Sequence, residues 1–145
     1  MSALAANDAD VVIVLLVEDE IWVRLDVACC LEDAGYVVVE AGTGEAAMAL
    51  CNSRTSIDMV ITDINLGGSA SGWDVGEYFR TVRPDVPVVY TSEKSADAGR
   101  CVAGSVLVSK PYRHSDILDA CQRLARSSLP SRQRSLPWRR AFKWH

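Results

Sequence analysis

The sequence predicts an α/β domain in which a parallel five-stranded sheet is covered by helices on both faces. Short apolar runs rich in β-branched residues recur at 11–17, 36–40, 57–62, 86–91 and 105–109. Stretches with helical spacing of apolar residues separate most of them, and strands that alternate with helices build parallel sheets, because parallel neighbours need a crossover between them. A chain of 145 residues also suits one domain and can bury a core without covalent staples.

Taken in order, Val11–Val17 is a continuous apolar run, the pattern of a strand buried on both faces. A helix is predicted over Ile21–Ala34, with Ile21, Leu25 and Ala28 at helical spacing and Gly35 ending it. Tyr36–Glu40 is the second strand, and Thr43 can cap a helix that runs to about Arg54. The third strand, Ile57–Thr62, leads into a Gly/Ser-rich loop, Asn65–Ser71. Ser71-Gly-Trp-Asp74 reads as a capping box opening a helix to about Arg83. Pro84 and Pro87 bracket the turn into the fourth strand, Val86–Thr91. The polar stretch Ser92–Gly104 holds at best a short helix and, with few apolar anchors, is expected to be the mobile part of the domain. Ser105–Ser109 is the fifth strand, and Ser115–Ser127 the last helix, with Ile117, Leu118, Cys121 and Leu124 facing inward.

Composition narrows the function. No apolar run approaches the roughly 20 residues of a membrane helix. The first ten residues form an extension with two Asp and no Lys or Arg, unlike a secretory signal, so a cytoplasmic protein is expected. Five cysteines without a C-x-x-C pair signal neither a disulfide framework nor a zinc site, and they are read as small buried hydrophobes. The formal net charge is −4, but residues 126–145 carry six bases and no acid, which leaves −10 on residues 1–125. An acidic body with a basic tail is two objects.

In parallel α/β sheets ligands bind beyond the carboxyl ends of the strands. At those ends lie Glu18, Asp19 and Glu20 after the first strand, Asp63 after the third, Thr91 and Ser92 after the fourth, and Lys110 before Pro111 after the fifth. Converging carboxylates repel one another unless a cation neutralises them, and a hard divalent ion such as Mg²⁺ does this with oxygen ligands. A carboxylate can act as a nucleophile toward phosphorus, a lysine can stabilise the charge on the transferring group, and a hydroxyl can bond a phosphoryl oxygen. Each residue alone has a duller reading, as a helix cap, a strand terminus or a solvated loop charge. The constellation rests on all four strand ends carrying the right type at once.

The segments VLLVEDE at 14–20, DMVITDINL at 58–66, VPVVYTSE at 86–93 and LVSKPY at 107–112 resemble the response-regulator receiver domain of two-component signalling, over roughly residues 11–127. The variant is similar to stand-alone receivers of alphaproteobacteria. The resemblance implies a doubly wound, flavodoxin-like sheet of order 2-1-3-4-5. It implies that Glu18 and Asp19 hold Mg²⁺ together with Asp63 and the backbone carbonyl of Asn65. It makes Asp63 the phosphoacceptor, Thr91 the switch hydroxyl and Lys110 the stabilising lysine, with a cis bond to Pro111. Asn65 and Glu93 stand where the family tunes dephosphorylation, and this pair resembles self-dephosphorylating members. The implied partners are a sensor histidine kinase or histidine phosphotransfer protein and a downstream protein target, with no enzymatic activity beyond the domain's own phosphorylation and dephosphorylation. The sequence departs from the pattern in four places. Glu18 stands where Asp is common, and the loop after Asp63 reads INLGGSASG instead of a hydrophobic-Pro pattern. The stretch from Thr91 to Lys110 is short, which predicts a truncated fourth helix, and Leu107 occupies the position of a switch aromatic.

Two other function classes compete. A pseudo-receiver would use the fold only as a protein-binding platform, and would be signalled by loss of the acceptor, the metal acid or the lysine, all of which are present. An enzyme acting on an external nucleotide would need a phosphate-binding loop of the form G-x-x-x-x-G-K-[ST], which is absent. The tail, residues 128–145, is too short for an output or DNA-binding domain. Pro130 and Pro137 are expected to interrupt any continuation of the last helix. Its Arg and Trp residues suit an acidic surface, either the body of this chain, a second copy in a homodimer or an external partner, against the plainer reading of an inert extension.

Overall fold

The structure, a computed structural model, describes residues 11–93 and 98–135, with Ala98 and 126–135 described by backbone alone. Five parallel strands, β1 (Ile13–Val17), β2 (Val37–Ala41), β3 (Met59–Asp63), β4 (Val88–Ser92) and β5 (Val106–Ser109), pair in the order β2-β1-β3-β4-β5. Four α-helices, α1 (Ile21–Asp33), α2 (Gly44–Cys51), α3 (Gly72–Val82) and α4 (His114–Ser135), cover it. This is the flavodoxin-like strand order 2-1-3-4-5 that the sequence resemblance implies. Between β4 and β5 the described residues hold a single 3₁₀ turn, Ala98–Arg100.

Strand alternation sorts the core into two layers. Leu15, Val17, Val60, Val88 and Tyr90 face α2 and α3, where they meet Ala47, Cys51, Trp73, Val75 and Phe79. Val14, Leu16, Met59, Ile61, Val89 and Val108 face α1 and α4, packing on Val27, Ala28, Leu31, Ile117, Ala120, Cys121 and Leu124. The far end of the sheet is stapled by Asp58, 1% exposed, whose Oδ2 accepts from the Ile13 N–H at 2.9 Å while its own N–H donates to the Ile13 carbonyl at 2.7 Å. Arg83 ties α2 to α3 by donating to the carbonyls of Leu50, Cys51, Ser53 and Thr55.

The local signals hold at the helix starts. Thr43 Oγ1 accepts from the Ala46 N–H at 3.0 Å, and Ser71 and Asp74 form the reciprocal capping box. Gly35, at φ +99°, turns the chain out of α1, a conformation that costs a glycine little.

Three expectations are corrected. Ala28 faces the core, but Ile21 and Leu25 are exposed at 51% and 39%; the inward stripe of α1 is Val27, Ala28 and Leu31. Apolar residues surround this helix on every side, so spacing alone could not choose the buried face. Cys51 and Cys121 are buried, but Cys29 is exposed and Cys30 and Cys101 are half-buried, all five as free thiols. The last helix does not stop before Pro130 but runs through it to Ser135. A proline forfeits one backbone hydrogen bond and meets the carbonyl four residues back, which need not end a helix already propagating on both sides. Residues 128–135 therefore continue α4, and the rest of the basic tail, 136–145, lies outside the described residues, as do the N-terminal extension and part of the stretch expected to be mobile.

Gly72 sets how closely α3 approaches the end of β3. Its N–H donates to the Ile64 carbonyl at 2.8 Å, and a Cβ there would clash with the Asp63 carbonyl oxygen and stand 2.6 Å from Ile64 Cα. Backbone cannot move aside as a side-chain tip can. Gly72→Ala should therefore cost about 3 kcal/mol in urea denaturation, and an unchanged midpoint would show that the helix can shift without loss.

Candidate functional site

The layer of core that faces α1 and α4 ends in polar residues at the carboxyl edge of the sheet. With a side-chain period of two, Val14 and Leu16 lead to Glu18, Met59 and Ile61 to Asp63, Val89 to Thr91, and Val108 to Lys110. The strand register sets Asp63 beside Thr91, and Glu18 one residue beyond the pair Val17–Thr62. The apolar columns below are buried, so these four side chains are presented on a rigid base.

Glu18, Asp19 and Asp63 offer carboxylate oxygens that all lie within 4.8 Å of one another. Lys110 Nζ donates to Asp63 Oδ2 at 2.9 Å, and Asp63 Oδ1 accepts from the Asn65 N–H at 3.2 Å. Glu18 Oε2 accepts from the Glu20 N–H at 3.0 Å, and Asp19 Oδ2 accepts from the Gly67 N–H at 3.2 Å. Thr91 is buried at 4%, level with the acid. The Lys110–Pro111 bond is cis. A cavity of about 840 Å³ opens over these groups, its acidic floor flanked by the apolar Trp22, Val23 and Val27 of α1 and by Pro111 and Tyr112. Asn65 and Glu93 line it as well.

The electrostatics follow from burial and crowding. Desolvation, reinforced by the charge of Asp63, pushes the Glu18 carboxyl up to about 7 against the pull of the Glu20 N–H and Lys110. Lys110 loses hydration on burial, which works against its charge, but its bond to Asp63 and the charges of Asp63 and Glu18 outweigh this and raise its pKa. Three acids against one lysine leave the cluster short of positive charge. A hard divalent cation held by carboxylate oxygens fits that deficit, because it both neutralises the acids and takes the ligand type they offer.

Every residue singled out at the strand ends is thus found at this edge. On the other face, Leu107 is half-buried against the core layer that holds Tyr90, and Tyr90 packs on Trp73 with ring centroids 4.9 Å apart. The sequence reading missed Gly67 as a partner of Asp19 and Arg24 as a partner of Glu18. The first was masked by a loop with no regular pattern, the second because no spacing rule pairs a helical arginine with a backbone carbonyl in the turn before its helix.

The family model for the response regulator receiver domain matches residues 14–122. The chain belongs to this family. A response regulator receiver protein from Sinorhizobium medicae is 32% identical and superposes with a TM-score of 0.78, covering 81% of this chain and 97% of that one. The chemotaxis response regulator CheY4 of Vibrio cholerae is 26% identical with a TM-score of 0.71, covering 79% and 98%. The transcriptional regulatory protein PdtaR of Mycobacterium tuberculosis is 34% identical over 127 residues, which is 80% of this chain but 59% of that protein. The receiver domain thus spans little more than half the length of that curated relative. Among the described residues no helix is long and apolar enough to cross a membrane.

The raised Glu18 carboxyl has a sign that can be measured. Between pH 4.5 and about 7 the folded, metal-free receiver keeps a proton that the unfolded chain releases. Where the folded state binds more protons, stability falls as pH rises. Urea denaturation in the presence of a chelator should show this loss across that window, and Glu18→Gln should remove it. Identical pH slopes for wild type and variant would refute the assignment.

Proposed function

We propose that this receiver accepts a phosphoryl group on Asp63 from a phosphohistidine of a sensor kinase or phosphotransfer protein, and that the reaction requires Mg²⁺. The single observation that supports this best is the meeting of Lys110 with Asp63 beside Glu18 and Asp19, at the floor of an open cavity. A carboxylate oxygen of Asp63 forms the new bond to phosphorus as the bond from phosphorus to the imidazole nitrogen breaks, and the imidazole leaves with the electron pair and takes a proton. Lys110 is placed to stabilise charge on the phosphoryl oxygens, and Thr91 to donate its hydroxyl to one of them afterwards. Glu18 and Asp19, with Asp63 and the Asn65 carbonyl, would hold the metal, which supplies charge neutralisation between acceptor and phosphate.

The protein then acts as a phosphorelay shuttle, a sink or a protein-binding switch, and catalyses nothing beyond its own phosphorylation and dephosphorylation. Asn65 and Glu93 face the same cavity, where they can order water near the acyl phosphate. In this reading the phosphorylated state is short-lived, as the resemblance of the Asn65/Glu93 pair to self-dephosphorylating members implies. A cytoplasmic location belongs to the same reading.

Incubation with acetyl phosphate and Mg²⁺ should add one phosphoryl group by intact mass, and none in Asp63→Asn or in chelator. Lys110→Ala should slow labelling about 100-fold. Equal labelling of Asp63→Asn would sink the acceptor assignment. In a second measurement, the labelled protein with Mg²⁺ at neutral pH should lose its phosphoryl group well within hours, and Glu93→Ala should alter that lifetime. A phospho-form that persists unchanged through the day contradicts the tuning role.

A further inference from the structure

The acid pair Glu18–Asp19 lies in the turn between β1 and α1, and its direction depends on two peptide units. The first is fixed from β2, because the Glu18 N–H donates to the Ala41 carbonyl at 3.1 Å. The second, which joins Glu18 to Asp19, is held by a side chain. Arg24 Nη1, one turn into α1, donates to the Glu18 carbonyl at 2.8 Å. The guanidinium is itself held in place: Nε donates to Glu40 Oε1 at 3.0 Å, near the end of β2, and the side chain is only 18% exposed. One planar group therefore bonds the acid turn and the neighbouring strand at once, as its fixed fork of donors allows and an ammonium does not.

From this geometry we infer that Arg24 is a positioning residue for the divalent-cation site, acting by holding the Glu18–Asp19 peptide so that both carboxylates converge on Asp63. The inference rests on the metal-binding reading given above. It attributes to Arg24 an effect opposite in sign to its charge. A cation near a metal site disfavours the metal, so an arginine acting by charge alone would weaken Mg²⁺ binding, and its loss would tighten it. An arginine acting by position favours the metal, and its loss weakens binding, as removal of a group that orients a ligand commonly does by about 10-fold or more.

Three variants and one titration separate these cases. Mg²⁺ affinity is measured on the full chain by calorimetry, with urea denaturation of each variant alongside so that only folded protein is compared. Arg24→Gln should bind Mg²⁺ about 10-fold more weakly than wild type. Arg24→Lys, which keeps the charge and loses the two-point contact, should also bind more weakly. Glu40→Gln, which removes the ion pair but leaves the bond to the Glu18 carbonyl, should lose less than Arg24→Gln. Unchanged or tighter binding in Arg24→Gln overturns the inference, as does wild-type affinity in Arg24→Lys. Should Arg24→Gln not fold, Arg24→Lys decides it alone, and wild-type affinity there overturns it. If wild type itself binds no Mg²⁺, it is the metal-binding reading that fails.

Discussion

The bond between Lys110 and Asp63 is the contact around which the rest of the domain is arranged. Asp63 ends the central strand, with buried apolar columns beneath it and two more carboxylates within reach. Without a cation, three acids at one point would repel and protonate. The lysine supplies part of the missing charge from an edge of the sheet, and it can do so because β5 pairs in register with β4, which sets Val108 level with Thr91 and Asp63 and leaves residue 110 two positions beyond, within reach of the acid. Glu18 feels the same crowding, its carboxyl pushed up to about 7 first by burial and then by the charge of Asp63. Three acids and one lysine thus leave a net negative site, a charge balance that suits a cation.

The same alternation that builds the core builds the site. Glu18, Asp63, Thr91 and Lys110 are the top row of four columns whose lower members are packed against α1 and α4. A slip of one residue in any strand would turn its site residue to the opposite layer, where Trp73, Phe79 and Tyr90 pack. Core packing thus fixes register, and register fixes the chemistry. The close approach of α3 at Gly72 serves the same end, because it leaves the backbone after Asp63 with no room to move.

A second ring of contacts orients the acids. Arg24 holds the Glu18 carbonyl, the Gly67 N–H holds Asp19, and the Asn65 N–H holds Asp63. The unusual loop after β3 takes part in this. It reaches back to the first acid turn through Gly67, and on its other side the Ser69 hydroxyl donates to Glu45 at the start of α2. The 3₁₀ turn described between β4 and β5 is held in a comparable way, with Arg100 paired to Asp74 and Glu77 and the Val102 N–H donating to the Tyr90 hydroxyl. Both departures from the family pattern are held by polar contacts together with apolar anchors, Leu66 and Ala70 in the loop after β3 and Cys101 and Val102 beside the 3₁₀ turn.

What the sequence determined by itself was the order of elements, the helix caps and the candidate residues of the site. These are local properties: a β-branched run, a Thr or Ser–Asp pair before a helix, an acid or lysine just past a strand. Period-two alternation makes strand ends legible, so the four edges could be read before any pairing was known. Tertiary structure decided what local pattern leaves degenerate. It chose Val27, Ala28 and Leu31 as the buried stripe of a helix whose apolar residues lie on every side, because only the sheet and α4 define which side is inside. It carried α4 through Pro130, where propensity argued for a stop. It also gave Arg24 and Gly67 their partners, since the Glu18 carbonyl and the Asp19 carboxylate become acceptors for them only when the chain is folded. Hydrogen bonds of that kind depend on angstrom-scale approach between separate elements, and nothing in the spacing of residues along the chain encodes it.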